Sequence, residues 1–351
     1  MDQGSTVTTR DDLYQRHLAD TESRLTELIA SVSSTLEFDL RPSPFDDGFR
    51  GHARFSVAAT DGEVVVTGVD PVSGRNPWKS TLWILPDFGQ RLTEAVIRTI
   101  RATHADYPVR GFDVRLGYGT QRAHIVLAVD RHEPVAFRNW AEALVEHTPG
   151  VVGVSVPSQN LTVGEPLIRH QLLGRTILSH PFAFFQTNYW LTEPLLQHVA
   201  FRVSRESPTS VLDLYCGVGV HSLLAGDNAT STTGIDSDPH AIAVAQRNAE
   251  AAGRHATYEH ASVEARLARG LRVDWDAIVV NPPRSGCSAE VVANIAALAP
   301  RCICLICCSA EAHVRDLQRL QTFGYEADEY TAFDMFPFSP FVENVAMLFP
   351  R

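Results

Sequence analysis

The chain has 351 residues, 44% of them hydrophobic, with 30 Lys and Arg against 41 Asp and Glu and a formal charge of −11. That length and apolar content suit two domains that each bury a core, and they exclude a disordered chain or a small disulfide-stapled one. The acid excess argues against gripping nucleic acid through a broad basic surface, while leaving room for a local arginine-lined groove.

The opening MDQGSTVTTRDDLYQRH has no apolar signal core or lipidation pattern, and no run approaches the roughly 18 apolar residues of a spanning helix. All six cysteines lie in the second half, at 216, 287, 302, 304, 307 and 308, with four crowded into RCICLICCSA. This fits a reducing compartment, and the expected location is cytoplasmic, away from membranes. Leu13, Leu18, Leu25, Leu28 and Ile29 predict an amphipathic helix within 11–31. ARFSVAAT and EVVVTGV flank Asp61-Gly62 and predict a hairpin. FDVRLGY with RAHIVLAVD predicts a second pair, helical patterns cover about 89–105 and 134–147, and VVGVSV adds a strand. Residues 1–175 therefore read as an α+β domain of antiparallel strands with helices on one face.

Residues 176–351 change rhythm. The strands SVLDLY, STTGID, ATYEH, WDAIVV and CICLIC alternate with helices such as PHAIAVAQRNAEAAG, and YEADEYTAF and ENVAMLF end the series. Short apolar strands alternating with helices predict an α/β domain, a parallel sheet covered on both faces. The boundary is soft, around 170–185, because no Pro/Gly/Ser linker marks it.

VLDLYCGVGV runs a buried strand into a glycine turn, where Gly217 and Gly219 let backbone approach a ligand. Asp236 ends the next strand 19 residues after Gly217, placed to accept hydrogen bonds from ribose hydroxyls. A dinucleotide fingerprint needs a third glycine, which is missing here. Asp213 ahead of the turn and Asn281-Pro282-Pro283-Arg284 at a strand end are instead what an S-adenosylmethionine site of a class I methyltransferase resembles. Cys308 ends the fifth strand beside a helix start, where amides can lower a thiol pKa and make it a nucleophile. Cys302 and Cys304, alternating on one face, read as core, and Cys307 is left open. A metal reading of C-x-C-x2-C-C is poor, since a strand points adjacent cysteines to opposite faces.

FFQTNYWLTEPLL, DLYCGVG, VVNPPRSG, CCSAEAHVRDL and DMFPFSPFVENVAMLF together resemble the RNA uracil-carbon-5 methyltransferases, over about residues 182–351 and more weakly around FRGHARFSV. The resemblance implies a Rossmann-like class I methyltransferase domain with an antiparallel last strand, preceded by a substrate-recognition domain. It implies Cys308 as nucleophile towards carbon 6 of uracil and Glu343 as the base that removes the carbon 5 proton. It places Gln186, Tyr215, Asp236 and Asn281 at S-adenosylmethionine-binding positions, alongside Asp213, Gly217 and Gly219. RNA is the implied partner, acted on by a monomer that flips the base out past Phe184, Phe185, Tyr189 and Arg284; Phe185 and Arg284 are taken as substrate contacts.

The chain departs from the family in three ways. It has no cysteine before 216, so the four-cysteine iron–sulfur cluster of several members is not expected, nor is a metal. Ser309-Ala310 stands where Asn-Pro usually follows the nucleophile. Asn281 replaces the commoner Asp, as in one ribosomal branch, which leans the expected substrate towards ribosomal rather than transfer RNA. The charge keeps two alternatives open: methyl transfer to a free pyrimidine nucleotide or another small molecule, and a non-catalytic RNA-binding or assembly factor. Arg50, Arg54, Arg110, Arg115, Arg122 and Arg284 around the Cys308 pocket would favour RNA.

Overall fold

The computed structural model describes residues 9–60, 63–133, 135–225, 229–271 and 274–351. The Asp61-Gly62 turn lies outside them, but the strands it joins, His52–Thr60 and Glu63–Asp70, pair antiparallel as expected of a hairpin. No helix among the described residues is long and apolar enough to cross a membrane.

An eight-stranded sheet forms the larger layer. Its order is Phe38–Arg41, Tyr325–Phe333, Glu343–Pro350, Cys302–Cys307, Ala277–Val280, Ser210–Leu214, Ser231–Asp236 and Ala256–His260. The five strands from Cys302–Cys307 to Ala256–His260 are parallel because each connection between them returns through a helix. Glu343–Pro350 runs antiparallel to both neighbours, because residues 334–342 join it to Tyr325–Phe333 without a crossover helix. Ser210–Leu214, Ala277–Val280 and Cys302–Cys307 are buried throughout, as strands covered on both faces must be. One face packs Ile303 and Leu305 against Val291, Leu317, Leu25 and Ile29; the other packs Cys302, Cys304 and Ile306 against Leu195, Val199 and Val203. Cys302 and Cys304 are thus core residues.

The helix Arg10–Ala30 and the strand Phe38–Arg41, within the stretch that the sequence pattern assigns to the first domain, join this larger layer. Leu25 and Ile29 enter its core, and Phe38–Arg41 pairs parallel with Tyr325–Phe333 at the sheet edge. Helical periodicity exposes an apolar stripe but does not say which sheet covers it.

The second sheet has seven strands, in the order Gly74–Pro77, Glu63–Asp70, His52–Thr60, Val109–Leu116, Ala123–Val129, Val151–Val156 and Leu161–Gly164. The helices Asp87–Thr103 and Arg138–His147 supply Leu92, Val96, Ile97, Ile100, Trp140 and Leu144 to the core on one face. One neighbour pair departs from the antiparallel pattern: Ala123–Val129 and Val151–Val156 are parallel, since Arg138–His147 crosses between them. The residue pattern predicts neither the strand Leu161–Gly164 nor the hairpin Ile168–Leu172/Arg175–Ser179. The hairpin turns on Leu173 and Gly174, both with left-handed backbone.

A seam joins the two sheets. Gly51 N–H donates to Thr187 O (2.8 Å), Tyr189 N–H to Phe49 O (2.6 Å), and Arg50 bridges to Asn188. A Cβ on Gly51 would sit 2.0 Å from the Tyr118 ring, so only glycine admits this approach. Asn188 is fully buried and fixes the seam, its Oδ1 accepting from the amides of Trp190 and Leu191 at 2.9 Å each.

Leu25→Ala is expected to lower unfolding stability by about 2–5 kcal/mol, as for other buried leucines. Urea denaturation followed by a probe in the eight-stranded layer should show the loss; an unshifted midpoint would deny the helix its place in that core.

Candidate active site

The carboxyl ends of the parallel strands converge on one cleft, lined by Phe184, Phe185, Gln186, Leu196, Tyr215, Cys216, Gly217, Val218, Val220, His221 and Asn281. Wider grooves lie elsewhere, two on the open face of the seven-stranded sheet at about 450 and 320 Å³ and one beside the helix Asp87–Thr103 at about 340 Å³, against about 50 Å³ enclosed here. Size therefore does not mark the site; the convergence of polar groups at strand ends does.

The glycine turn is held from beneath. Gly217 (φ +52°) donates its amide to Asp236 Oδ2 at 2.8 Å, and Asp236 Oδ1 accepts from the Asp238 amide at 2.8 Å. A Cβ on Gly217 would meet nothing within 4 Å, so the turn opens onto space beside Asp236. At Gly219 (φ +77°) a Cβ would fall 2.7 Å from the Tyr258 hydroxyl. Tyr215, also left-handed at φ +60°, turns its hydroxyl to Glu264 Oε1 at 2.7 Å.

Asp213 does not line the cleft. It is fully buried, and its Oδ2 accepts the Ser222 amide at 2.9 Å, anchoring the helix Val220–Ala225 that follows the turn. Burial raises its pKa to about 7. Any effect on a ligand passes through the turn that it braces.

His221, which carried no role in the sequence pattern, faces the cleft. It is 7% exposed, its Nε2 lies 3.5 Å from Asn281 Nδ2, and burial drops its pKa to about 4, leaving a neutral ring. The signal available in sequence was a titratable residue inside an otherwise apolar first turn. Gln186 Oε1 and His221 Nδ1 are buried without hydrogen-bond partners among the described residues. Orphaned groups beside an open glycine turn and a strand-end carboxylate fit a ligand with amino-acid and ribose parts, as S-adenosylmethionine has. Gln186, Tyr215, Gly217, His221 and Asn281 would line its path, with Asp236 towards the ribose.

The two adjacent thiols are separated by strand alternation. Cys307 points to the face of Ile303 and Leu305, is fully buried, and its pKa is pushed up to about 12, chiefly by burial. Cys308, the one cysteine that is not buried, follows on the opposite side at the strand end. The register Cys307↔Asn344 brings Glu343 to the same end, on the face that Val345 and Met347 share with Ile306. Asn344 locks the arrangement: its Nδ2 donates to Cys307 O and Val342 O at 2.8 Å each, while its Oδ1 accepts from Tyr330 Oη at 2.8 Å.

The lowered thiol pKa expected at the helix start is not found. Burial and then the nearby Glu343 raise the Cys308 pKa, and a hydrogen bond with Arg284 opposes them. The helix Ala310–Gln321 is capped by Ser309, whose Oγ accepts the Ala312 amide at 3.3 Å, so that amide is not left for the thiol. Arg284 also stands 3.7 Å over the Phe341 ring. Phe185 stacks on His170 at 4.1 Å, and Phe184, 65% exposed, flanks the cleft. Tyr189 packs among Phe88, Tyr118 and Trp190.

The methyltransferase small domain family matches residues 190–303. An RNA methyltransferase of uncharacterized function from Lactiplantibacillus plantarum is 30% identical over 70% of this chain and 57% of its own length. The tRNA (uracil(54)-C(5))-methyltransferase of Pyrococcus abyssi is 35% identical over 53% of this chain and 43% of its own. For the 23S rRNA (uracil(747)-C(5))-methyltransferase of Vibrio cholerae the figures are 34%, 48% and 44%. The chain is thus similar to RNA (uracil-C5)-methyltransferases and carries a methyltransferase small domain. It spans about half the length of the curated relatives it matches. The crystal structure of the Pyrococcus abyssi enzyme with S-adenosyl-L-homocysteine superposes with a TM-score of 0.73 at 23% identity, over 95% of this chain and 83% of that one. That likeness establishes a shared fold, a Rossmann-like α/β domain with its preceding β-rich domain.

Glu343 carries a testable cost. It is 3% exposed, and burial raises its pKa from 4.5 to about 7. The native state then holds the proton more tightly than the unfolded chain, so stability is greatest below pH 4.5 and declines as pH rises through 7. At pH 8 Glu343→Gln is expected to stabilise the protein by up to about 3 kcal/mol, with the gain vanishing in acid. Thermal melts of both proteins across pH would measure it; a destabilised Gln variant at pH 8 would contradict it.

Proposed function

We propose that this protein transfers a methyl group from S-adenosylmethionine to carbon 5 of a uridine in RNA. The observation that carries the reading is the pairing of Cys308 with Glu343 at one sheet end, with Cys307 turned into the core. Asn281 in place of Asp leans the substrate towards ribosomal RNA, although the ribosomal and transfer RNA relatives match at nearly equal identity.

S-adenosylmethionine, when bound, supplies an electrophilic methyl group. Carbon 5 of uracil is too poor a nucleophile to accept it directly, and the thiolate of Cys308 adding to carbon 6 places electron density on carbon 5. After methylation Glu343 takes the carbon 5 proton, and elimination re-forms the ring double bond and frees the thiolate. A carboxylate held near neutrality by burial suits this step, since it is ionised at working pH yet basic enough to accept a proton. Arg284 supports the thiolate, opposing in part the effects of burial and Glu343. Asn281, with His221 beside its amide, would meet the methyl donor or the flipped base.

Incubation with labelled S-adenosylmethionine and either total RNA or a pool of pyrimidine nucleotides should place the label in 5-methyluridine of RNA; label in neither pool would sink the reading. RNA substituted with 5-fluorouridine should trap a covalent adduct, since fluorine cannot leave as a proton does. The adduct is expected to vanish in Cys308→Ser and persist in Cys307→Ser, and the reverse would identify the wrong thiol. Glu343→Gln should form the methylated adduct and fail to release it. The wild-type rate of release should fall below pH 7 as Glu343 becomes protonated.

A further inference from the structure

The open face of the seven-stranded sheet carries a groove of about 320 Å³ that the chemistry above does not use. Strand alternation sends Ala53, Phe55 and Val57 into the core and leaves His52, Arg54 and Ser56 on this face. Directly paired residues share a face, so Thr67 opposite Ser56, Arg75 opposite Val69, and Arg115 opposite His52 join them. Arg50, His52, Arg54 and Arg75 line the groove, and among the described residues no carboxylate does. Arg75 Nη1 is held by Ser56 Oγ at 2.9 Å and Thr67 Oγ1 at 3.4 Å, neutral partners that fix the guanidinium without cancelling its charge. Arg50 is half-buried, and burial alone lowers its pKa.

The acid on the neighbouring strand is already engaged. Asp113 accepts from Arg54 at 2.7 and 2.9 Å, lies 3.2 Å from His52 Nε2, and has Arg115 at 3.7 Å. Arg50, Arg54, Arg75 and Arg115 thus set four guanidinium groups against one carboxylate. This is a local inversion of the chain's charge of −11.

The groove is tied to the segment that lines the cleft through the seam between the sheets. Arg50 bridges to Asn188, two residues past Gln186, and Arg115 Nη1 donates to Ala183 O at 3.3 Å. From Arg50 to Ser56 the chain runs about 20 Å along the sheet, well beyond the reach of one nucleotide seated in the cleft. Val65 and Val69, 43% and 53% exposed, give the same face apolar patches for ribose or base edges.

We propose that this groove binds the phosphodiester backbone of the RNA strand that carries the target uridine, with Arg50 and Arg75 as the phosphate contacts and Arg54 as a third cation. The proposal rests on the RNA reading above. A polyanion threaded from the cleft across the open face fits both the charge inversion and the length of the groove.

The test compares wild type, Arg50→Gln, Arg75→Glu and the control Arg98→Glu. Arg98 is an exposed residue on the helix-covered side, with Glu94 as its ion-pair partner. Affinity for a mixed-sequence single-stranded RNA longer than the groove is measured across salt concentrations, and affinity for uridine monophosphate in parallel. Arg50→Gln and Arg75→Glu should each weaken RNA binding roughly tenfold, independently of sequence, and flatten the salt slope by about 0.7 for each phosphate that is no longer neutralised. KM for RNA should rise with kcat unchanged, while uridine monophosphate binding and the control stay at wild-type values. Arg75→Glu, exposed and on an edge strand, guards against a folding defect at Arg50. RNA affinity and salt slope unchanged in Arg75→Glu would overturn the groove while leaving the RNA reading intact. Weakened binding of uridine monophosphate alone would assign the groove to free nucleotides and overturn its role as a strand-binding surface. Wild-type protein with no salt-dependent RNA binding and no RNA methylation would overturn the RNA reading, and the groove with it.

Discussion

The antiparallel register between Glu343–Pro350 and Cys302–Cys307 is the constraint on which the candidate chemistry depends. A strand alternates its side chains, so two adjacent cysteines cannot share one environment. Once Asn344 is tied to the carbonyls of Cys307 and Val342 and to Tyr330, the face each thiol occupies is decided. Cys307 is committed to the core and Cys308 to the opening. Glu343, the residue before Asn344, is carried to the Cys308 side by the same alternation. A one-residue slip would exchange the two thiols and bury the base on the wrong face. Asn344 therefore acts as a positioning residue: it touches no candidate substrate path, yet sets the geometry of both groups that do.

The same strand end explains the electrostatics. Burial raises the pKa values of Glu343 and Cys308, and the Glu343 charge raises that of Cys308 further. An isolated pair of this kind would resist ionising on both groups at once. Arg284 biases the outcome by stabilising a thiolate, and the cost of ionising Glu343 in a buried site is retained in the fold as the condition for a usable base. Strand end, loop cation and buried acid come from three segments far apart in sequence, brought together by the sheet order.

Much of this was legible from residue patterns. The alternation of short apolar strands with helices gives the α/β half, and the Gly217-to-Asp236 interval places a carboxylate beside the glycine turn because both follow strand ends in a parallel sheet. What escaped shares a common cause. Tertiary partners decide whether the helix Arg10–Ala30 and the strand Phe38–Arg41 cover one sheet or the other, and local periodicity contains no information on that choice. Asp213 has the residue type and position of a ligand contact, but its burial beneath the turn gives it the Ser222 amide instead. A thiol at a helix start is expected to be acidified, but burial and the Glu343 charge outweigh that effect at Cys308, and Ser309 takes the Ala312 amide as helix cap. His221 and Asn344 gain their roles only through neighbours distant in sequence.

Net charge misleads for a related reason: it sums over a surface on which charges are already paired. Arg54 and Arg115 meet Asp113, Arg110 meets Asp130, and Arg122 meets Glu165, so four of the six arginines singled out in the sequence are partly neutralised at short range. A polyanion does not sense the total of −11 across the molecule, because beyond about 8–10 Å salt screens exposed charges. It senses the face it touches. On the open sheet that face holds Arg50 and Arg75 without acidic partners among the described residues, and Asp113 already occupied by cations. The acidity of the chain as a whole therefore limits nonspecific adhesion to nucleic acid without weakening a groove of this size. Arg50 is bridged to Asn188, two residues past Gln186, so the surface that would select a polymer is built onto the segment that lines the cleft.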